Sequence, residues 1–389
     1  MYKKYIYLII LICGPAFAQH EHMPMPQQKP MQHDLAHDFL MQQASGTSHD
    51  PAAASMHMSM TMFEGWMVMW HGSAFVSQVV QSGRGGDQFF STNWAMGMAE
   101  RPLAGGHVMI RSMLSLEPLT VRKRGYPELF QIGEGLIDRQ HAHDLFMELA
   151  AEFAADLGHQ TVGYIYAAPV GDPALGPVAF PHRASAAEIP QAPLSHHLQD
   201  STHIASSVLT IGAKQNAFGV GISGFHGREP DNDNRWDIDK GGIDSWSVRG
   251  TWDPNPNWSA QFSTGHLHQP EREAPGNIQR TTASIGHSTG DWSSTLVWGW
   301  NHESDHDAHS LLTETNRRFN VSNYLTGRFE IVRGVKALTG GYTKDIFRSR
   351  DLLGGVGGNV TVYRAAGERP TSFYVFARLR SPAASHADH

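Results

Sequence analysis

The chain has one cysteine, Cys13, in 389 residues. It lies in a leader where Lys3 and Lys4 precede an apolar run from Tyr5 to Cys13, and Ala16-Phe17-Ala18 offers a small-x-small cleavage site. These are the parts of a secretory signal peptide spanning 1–18 and removed after Ala18. A lipoprotein would instead use Cys13 as its acylated residue, with Ile12 a poor neighbour for that cleavage. The mature chain is therefore exported without disulfides or thiolate metal ligands. Charge is sparse as well: 17% of residues are charged and the formal net charge is −7, which gives nucleic acid no electrostatic footing. After the leader no run of 18 apolar residues occurs, so no transmembrane helix is expected. A P-loop, a GxSxG elbow and a Cys/His nucleophile arrangement are all missing, which leaves most enzyme classes without support. Methionine, finally, is absent after Met147.

What is present is glycine (39), tryptophan (10) and a period of two. In WSSTLVWGWNH, 292 to 302, Trp292, Leu296, Trp298 and Trp300 oppose Ser293, Thr295 and Asn301. In NYLTGRFEIV, 323 to 332, Leu325, Phe329 and Ile331 oppose Tyr324, Thr326, Arg328 and Glu330. DSWSVRGTWD and SFYVFARLR alternate in the same way, with Arg249 and Arg378 on the polar parity. Such alternation marks strands with one apolar and one polar face. Turns such as Asp253-Pro254-Asn255-Pro256-Asn257 separate them. The clearest strands begin near 63, 88, 106, 160, 203, 216, 244, 258, 278, 292, 309, 323, 335, 352 and 370. A soluble sandwich would bury the apolar parity against a second sheet. An outer-membrane barrel turns it to lipid and keeps the charged parity in a wet lumen. Repeated charge on the polar parity, Trp and Tyr near strand ends, and export without a spanning helix favour the barrel. The expected fold is all-β: an antiparallel outer-membrane β-barrel of about 12–16 strands over 63–380, followed by a polar tail at 381–389.

Two insertions, near 120–158 and 171–202, interrupt the hairpin rhythm and are expected in the lumen or at the mouth. In the first, Leu145, Leu149 and Phe153 recur at helical spacing beside an acidic stripe of Asp144, Glu148 and Glu152, which predicts a helix within 133–158. The insertions carry two polar clusters, Asp138-Arg139-Gln140-His141-Ala142-His143-Asp144 and His196-His197-Leu198-Gln199-Asp200-Ser201-Thr202-His203. On a helix His196, Asp200 and His203 share one face. Imidazole and carboxylate at these spacings can hold zinc or another divalent ion. They can equally hydrogen-bond the loops to the lumen wall, with Arg139, Arg183 and Glu134 as partners. A metal-dependent hydrolase is a third reading and requires a general base, Glu134 or Glu148.

Residues 19–62 hold eight methionines and six histidines and few aliphatics, a composition that predicts disorder. Thioether sulfur is soft and selects Cu(I), and imidazole also takes Cu(II). His20, His22, Met23, Met25, Met31, His33, His37, Met56, His57, Met58, Met60 and Met62 are the candidate copper ligands of this segment. The alternative is a plain polar linker. Met67, Met69 and His71 carry the bias onward and share one strand face, either lumenal or lipid-facing.

HEHMPMP and MHMSMTM, joined to a leader and a barrel, resemble the organisation of the copper-resistance protein B type of the outer membrane. YPELFQIGEGLIDRQHAHDLFMEL instead resembles uncharacterised bacterial outer-membrane barrel proteins. The resemblance implies copper handling at the outer membrane, in resistance, sequestration or export. The tail is then expected in the periplasm, with outer-membrane lipid, metal ions and periplasmic copper-handling proteins as partners. The rival expectation is a general porin or solute channel with an incidental linker.

Overall fold

The computed structural model describes residues 34–382, apart from positions 56, 122, 134, 231–233, 272–275, 304 and 305. His20, His22, Met23, Met25, Met31, His33, Met56 and Glu134 therefore lie outside the described residues, as do the leader and most of the polar tail.

Along the chain come α1 (Leu35–Met41), a small hairpin of β1 (Gln43–Ser45) and β2 (Ser48–His49), β3 (Ser59–Phe63), β4 (Trp66–Gln81), β5 (Gln88–Leu103) and β6 (Gly106–Leu114). A short helix, α2 (Glu117–Thr120), and a second small hairpin, β7 (Tyr126–Gly133) with β8 (Leu136–Gln140), precede β9 (Phe146–Gly158) and β10 (Thr161–Gly171). After α3 (His196–Gln199) follow β11 (Ala205–Gln215), β12 (Phe218–His226), β13 (Ser245–Asn255), β14 (Trp258–Leu267), β15 (Ile278–Ser288) and β16 (Trp292–His302). The last five strands are β17 (Asp307–Asn320), β18 (Asn323–Val332), β19 (Val335–Arg348), β20 (Leu353–Arg364) and β21 (Thr371–Arg380).

Strands β4, β5, β6 and β9 to β21 close into one antiparallel barrel of sixteen strands. The seam joins the first barrel strand to the last. β21 pairs with Ser73–Gln81 of β4, and the short β3 pairs with Trp66–Trp70 on the same edge. Among the described residues no helix is long and apolar enough to cross a membrane. In strands such as β16 and β21 the apolar parity faces out, as with Leu296 and Val375, while the polar parity is buried inside, as with Thr295 and Arg378; β4 to β6 add buried methionines to the inner face. The two rims differ. One carries tight turns, including Ala104-Gly105 and His159-Gln160, whose positive φ at both central residues suits the twist of a two-residue hairpin. Outward aromatics such as Phe218, Trp252, Trp258 and Trp292 ring that rim as an interfacial girdle. The other rim carries the long connections, 115–145 and 172–204 among them.

The predicted helix in 133–158 is instead β8, a short turn and β9. A spacing of four residues suits a helix face, but it is also an even number. Glu148 and Glu152 share the inner face of a strand, and Leu149 and Phe153 its outer face, as well as they would share helix faces. Pairing with β6 and β10 on either side settled the ambiguity in favour of a strand.

Residues 34–62 also depart from the composition-based expectation of disorder. They form α1, a hairpin and β3, and most of 34–58 is buried or half-buried. The segment cannot bury a core of its own, but the barrel lumen supplies one. Phe39 and Leu40 join buried Met69, Met96, Met109 and Met113 of the wall in a single apolar cluster. Met58 is buried with them, while Met60 and Met62 are exposed on β3.

Three segments thus fill the lumen, and arginines of the wall clamp them. Arg111 donates to Gln43 and to Gly46 O, Arg249 to Thr47, Arg280 to His197 O and Ser201, and Arg328 to Gln191 O. Arg378 and Arg380 both reach Glu188. Breaking a buried ion pair such as Arg378–Glu188 costs about 3–5 kcal/mol, so the wall charges act as docking points.

Candidate metal centre in the barrel lumen

The two histidine motifs meet in the lumen. His141, His143 and Asp144 sit in the extended link between β8 and β9, and His196, His197, Asp200 and His203 sit on α3 and the turn after it. Every one of these side chains is buried. The ring centroids of His143 and His203 are 5.4 Å apart, those of His196 and His203 5.2 Å, and those of His141 and His196 6.4 Å. The ring of Phe180 packs against His143, His196 and His203. His197 lies at the edge, against His141 and 3.6 Å from Glu229. Its ring occupies the space where a Cβ on Gly133 would sit, so β7 needs glycine there.

Hydrogen bonds orient each ring through its Nδ1. His196 Nδ1 donates to Asp200 Oδ1 at 2.7 Å, and His203 Nδ1 to the Asp200 carbonyl at 2.7 Å. His143 Nδ1 donates to Glu117 Oε2 at 3.1 Å and His141 Nδ1 to Ala142 O at 3.1 Å. With Nδ1–H committed and the charged form disfavoured by burial, Nε2 carries the lone pair in His196 and His203. Among the described residues Nε2 of His143 and of His203 is buried without a hydrogen-bond partner. Burial and the neighbouring imidazoles of His196 and His143 push His203 down to about 3. Burial lowers His196 despite Asp200, and burial with Arg235 nearby holds His141 well below its usual value. Neutral imidazoles with oriented lone pairs are what a borderline divalent cation requires, and an Nδ1–H held by carboxylate or carbonyl is the usual outer support of a histidine ligand. A small void of about 20 Å³ lies between His141, His143, His196 and His203.

Asp200 and Asp144 act as braces here. Burial pushes Asp200 up, but Arg183 and His196 more than offset it and hold the carboxyl well below its usual range. Its second oxygen accepts from Phe180 N at 2.9 Å and faces Arg183 at 3.3 Å. Asp144 pairs with Arg235 at 2.8 Å. The bracing network and the imidazole cluster therefore coexist, with the acids in the first role. Glu148, the expected base, accepts from Tyr166 and faces Arg111 at 3.5 Å.

His37 finds other company. Its ligand atom, with those of Glu100 and His107, lies in a group all within 4.8 Å. Asp34 accepts from His107 Nε2 at 2.9 Å. The hydrogen bond to Glu100 raises the pKa of His37 against its burial, which favours a protonated ion pair. His57 lies beside Met58 at a cavity of about 410 Å³. That cavity extends past His71 and His182 to His141 and His143. Met69 and His71 face the lumen, which answers the question their alternation left open. Sequence reasoning passed over His182, Met96, Met113 and His107 because each stands alone in its stretch.

The architecture defines an outer-membrane barrel of the porin class of folds. No family sequence model and no curated protein sequence matches the chain. Solved structures do. The anion-selective porin from Comamonas acidovorans matches with 11% identity and a TM-score of 0.53, covering 81% of this chain and 99% of that one. OmpF of Salmonella typhi, in complex with daunomycin, matches with 10% identity and a TM-score of 0.52, over 82% and 100% of the two chains. A loop-deleted OmpT, an outer-membrane protein of Vibrio cholerae, gives 9% and 0.50 over 82% and 100%. At these identities the likeness is one of fold. The resemblance to the copper-resistance type rests on HEHMPMP and MHMSMTM, and no comparison adds to it.

Proposed function

We propose that this chain is an outer-membrane, channel-class barrel that takes transition-metal cations, copper or a similar ion, into its lumen. The observation that carries this reading is the convergence of His141, His143, His196 and His203, from two insertions, on one void, where Nε2 of His143 and of His203 is buried without a hydrogen-bond partner among the described residues. The Met/His segment before residue 34 is the capture arm, and its covalent tether to the barrel raises the local ion concentration available to it. Short turns mark the periplasmic rim of such barrels, and β4 starts at that rim, so capture is from the periplasm. The 410 Å³ cavity, lined by His57, His71, His182, His141 and His143, is the route inward.

The test is elemental analysis of the full-length protein purified from membranes grown with copper or zinc. Bound metal that falls away in His143→Ala/His203→Ala supports the reading. Metal-free wild-type protein sinks it. A second reading, a general solute channel, is favoured by the likeness to porins. Conductance in planar bilayers, unaffected by copper, would select it.

A further inference from the structure

A second cluster of ligand-type side chains lies outside the imidazole centre and has a different chemistry. On the inner wall, His71 of β4 stands directly opposite Met96 of β5, and Met96 stands directly opposite Met113 of β6. Register thus sets one imidazole and two thioethers in an unbroken cross-strand row, with neighbouring Cβ atoms about 5 Å apart. His182, from the second insertion, closes over the row. Its Nε2 lies 3.2 Å from Met113 Sδ, and His71 Nε2 lies 3.1 Å from Met96 Sδ. The two imidazole centroids are 5.8 Å apart. Trp94, one step along the same face, packs 4.5 Å from His182 and 5.1 Å from His71. His71, Trp94 and His182 line the large cavity, so the group is reachable from it.

Packing alone accounts for most of the methionine here. Met69, Met98 and Met109 serve with Phe39 and Leu40 as apolar core. Met96 and Met113 belong to the same cluster, yet their sulfurs are turned to imidazole nitrogen. Imidazole N–H donating to thioether would account for each pair singly. It does not account for two such pairs meeting in one row at the cavity wall. At the tetrahedral distances of zinc, about 2.0 Å to nitrogen and 2.3 Å to sulfur, the two ligand atoms stand about 3.5 Å apart, and a larger ion sets them further apart. Each pair has to open by only a few tenths of an ångström to reach the first of these separations. Two thioethers and two imidazoles, with no carboxylate within the set, select a soft ion over a hard one.

We propose that His71, Met96, Met113 and His182 form a binding site for a soft monovalent cation, Cu(I) or Ag(I), on the wall of the large cavity. It extends the metal reading above but stands on its own residues and its own ion. The flanking indole face of Trp94 adds a cation–π contact to a bound charge.

The experiment uses the full-length protein in detergent, dialysed to equilibrium against buffered Ag(I), with Zn(II) measured in parallel. Met96→Leu/Met113→Leu keeps volume and polarity close to the original. The expected result is the loss of one tightly held equivalent of Ag(I) relative to wild type, with Zn(II) uptake unchanged. An unchanged Ag(I) stoichiometry overturns the proposal. Should that variant fail to fold, His182→Gln, on a loop, is expected to weaken the same equivalent at least tenfold, and wild-type affinity there overturns it equally. In methyl-labelled wild-type protein, the resonances of Met96 and Met113 must shift with Ag(I), and static resonances count against the site. His143→Gln/His203→Gln separates the two ideas: if that variant keeps its Zn(II), the imidazole centre fails as a metal site while the Ag(I) site stands or falls by its own variants.

Discussion

Asp200→Asn tests the imidazole centre at its brace. Asp200 Oδ1 accepts from His196 Nδ1 at 2.7 Å, and Oδ2 accepts from Phe180 N at 2.9 Å and faces Arg183 at 3.3 Å. Asparagine is nearly the same shape and can still accept from His196, but it removes the charge that makes Nε2 a better donor. Loss of such an outer carboxylate costs 10–100-fold in metal affinity, about 1.4–2.8 kcal/mol at 1.4 kcal/mol per factor of ten. His143 and His203 keep their own acceptors, Glu117 and the Asp200 carbonyl, so binding weakens without vanishing. The assay is Zn(II) competition against a chromophoric chelator, with heat-modifiable gel mobility as the control for an intact barrel. Arg183 retains Glu314 at 2.7 Å, so the variant is expected to fold. A change of less than about twofold with an intact barrel would refute the argument that Asp200 orients a ligand.

Four further outcomes are expected. Because His203 titrates near 3, metal at the centre should stay bound at pH 5, where an ordinary imidazole is mostly protonated; release midway between pH 6 and 7 would show an ordinary histidine instead. The same depressed pKa means that the folded state binds fewer protons than the unfolded one between about 3 and 6.5, so stability is full above that window and falls as pH drops through it, as thermal unfolding at pH 7 and pH 5 will show. Leu296→Arg, on the lipid face near the middle of β16, should destabilise the barrel by about 2–4 kcal/mol in urea unfolding from vesicles, whereas a lumenal substitution of equal size should not follow that depth rule. Deleting 19–33 should lower copper tolerance and leave barrel mobility unchanged; deletion through 62 should also destabilise, since it strips α1 from the buried methionines, and equal stability of the two truncations would contradict the packing described.

Much of the wall is legible from local pattern, because period two is a one-dimensional signal: Trp292, Leu296 and Thr295 declare their faces without any partner. β9 was not legible, since Glu148 and Glu152 fit both periods and only the flanking strands decide. The histidines of DRQHAHD and HHLQDSTH stand out by composition, but their meeting depends on two insertions folding into one lumen. The row His71–Met96–Met113 is hidden for a stricter reason. Its members are adjacent only through strand register, and a slip of one residue would turn Met96 to lipid. His37, singled out by composition, is brought by the fold to Glu100 and His107, with one ligand atom of each within 4.8 Å of the others, a grouping able either to hold an ion or to pair internally.

The seam also has a kinetic meaning. β4 and β21 are separated by nearly the whole barrel sequence, so their pairing is the contact of greatest sequence separation and should form late. β3 turns back onto β4 through Glu64-Gly65, a hairpin of the kind that forms within microseconds. The first stretch of the leading edge, Trp66–Trp70, is therefore occupied from the start, and the arriving strand has only Ser73–Gln81 left to find. The short hairpin works as a register stop for closure: it fixes where β21 must end, at Arg380, whose guanidinium then meets Glu188 inside.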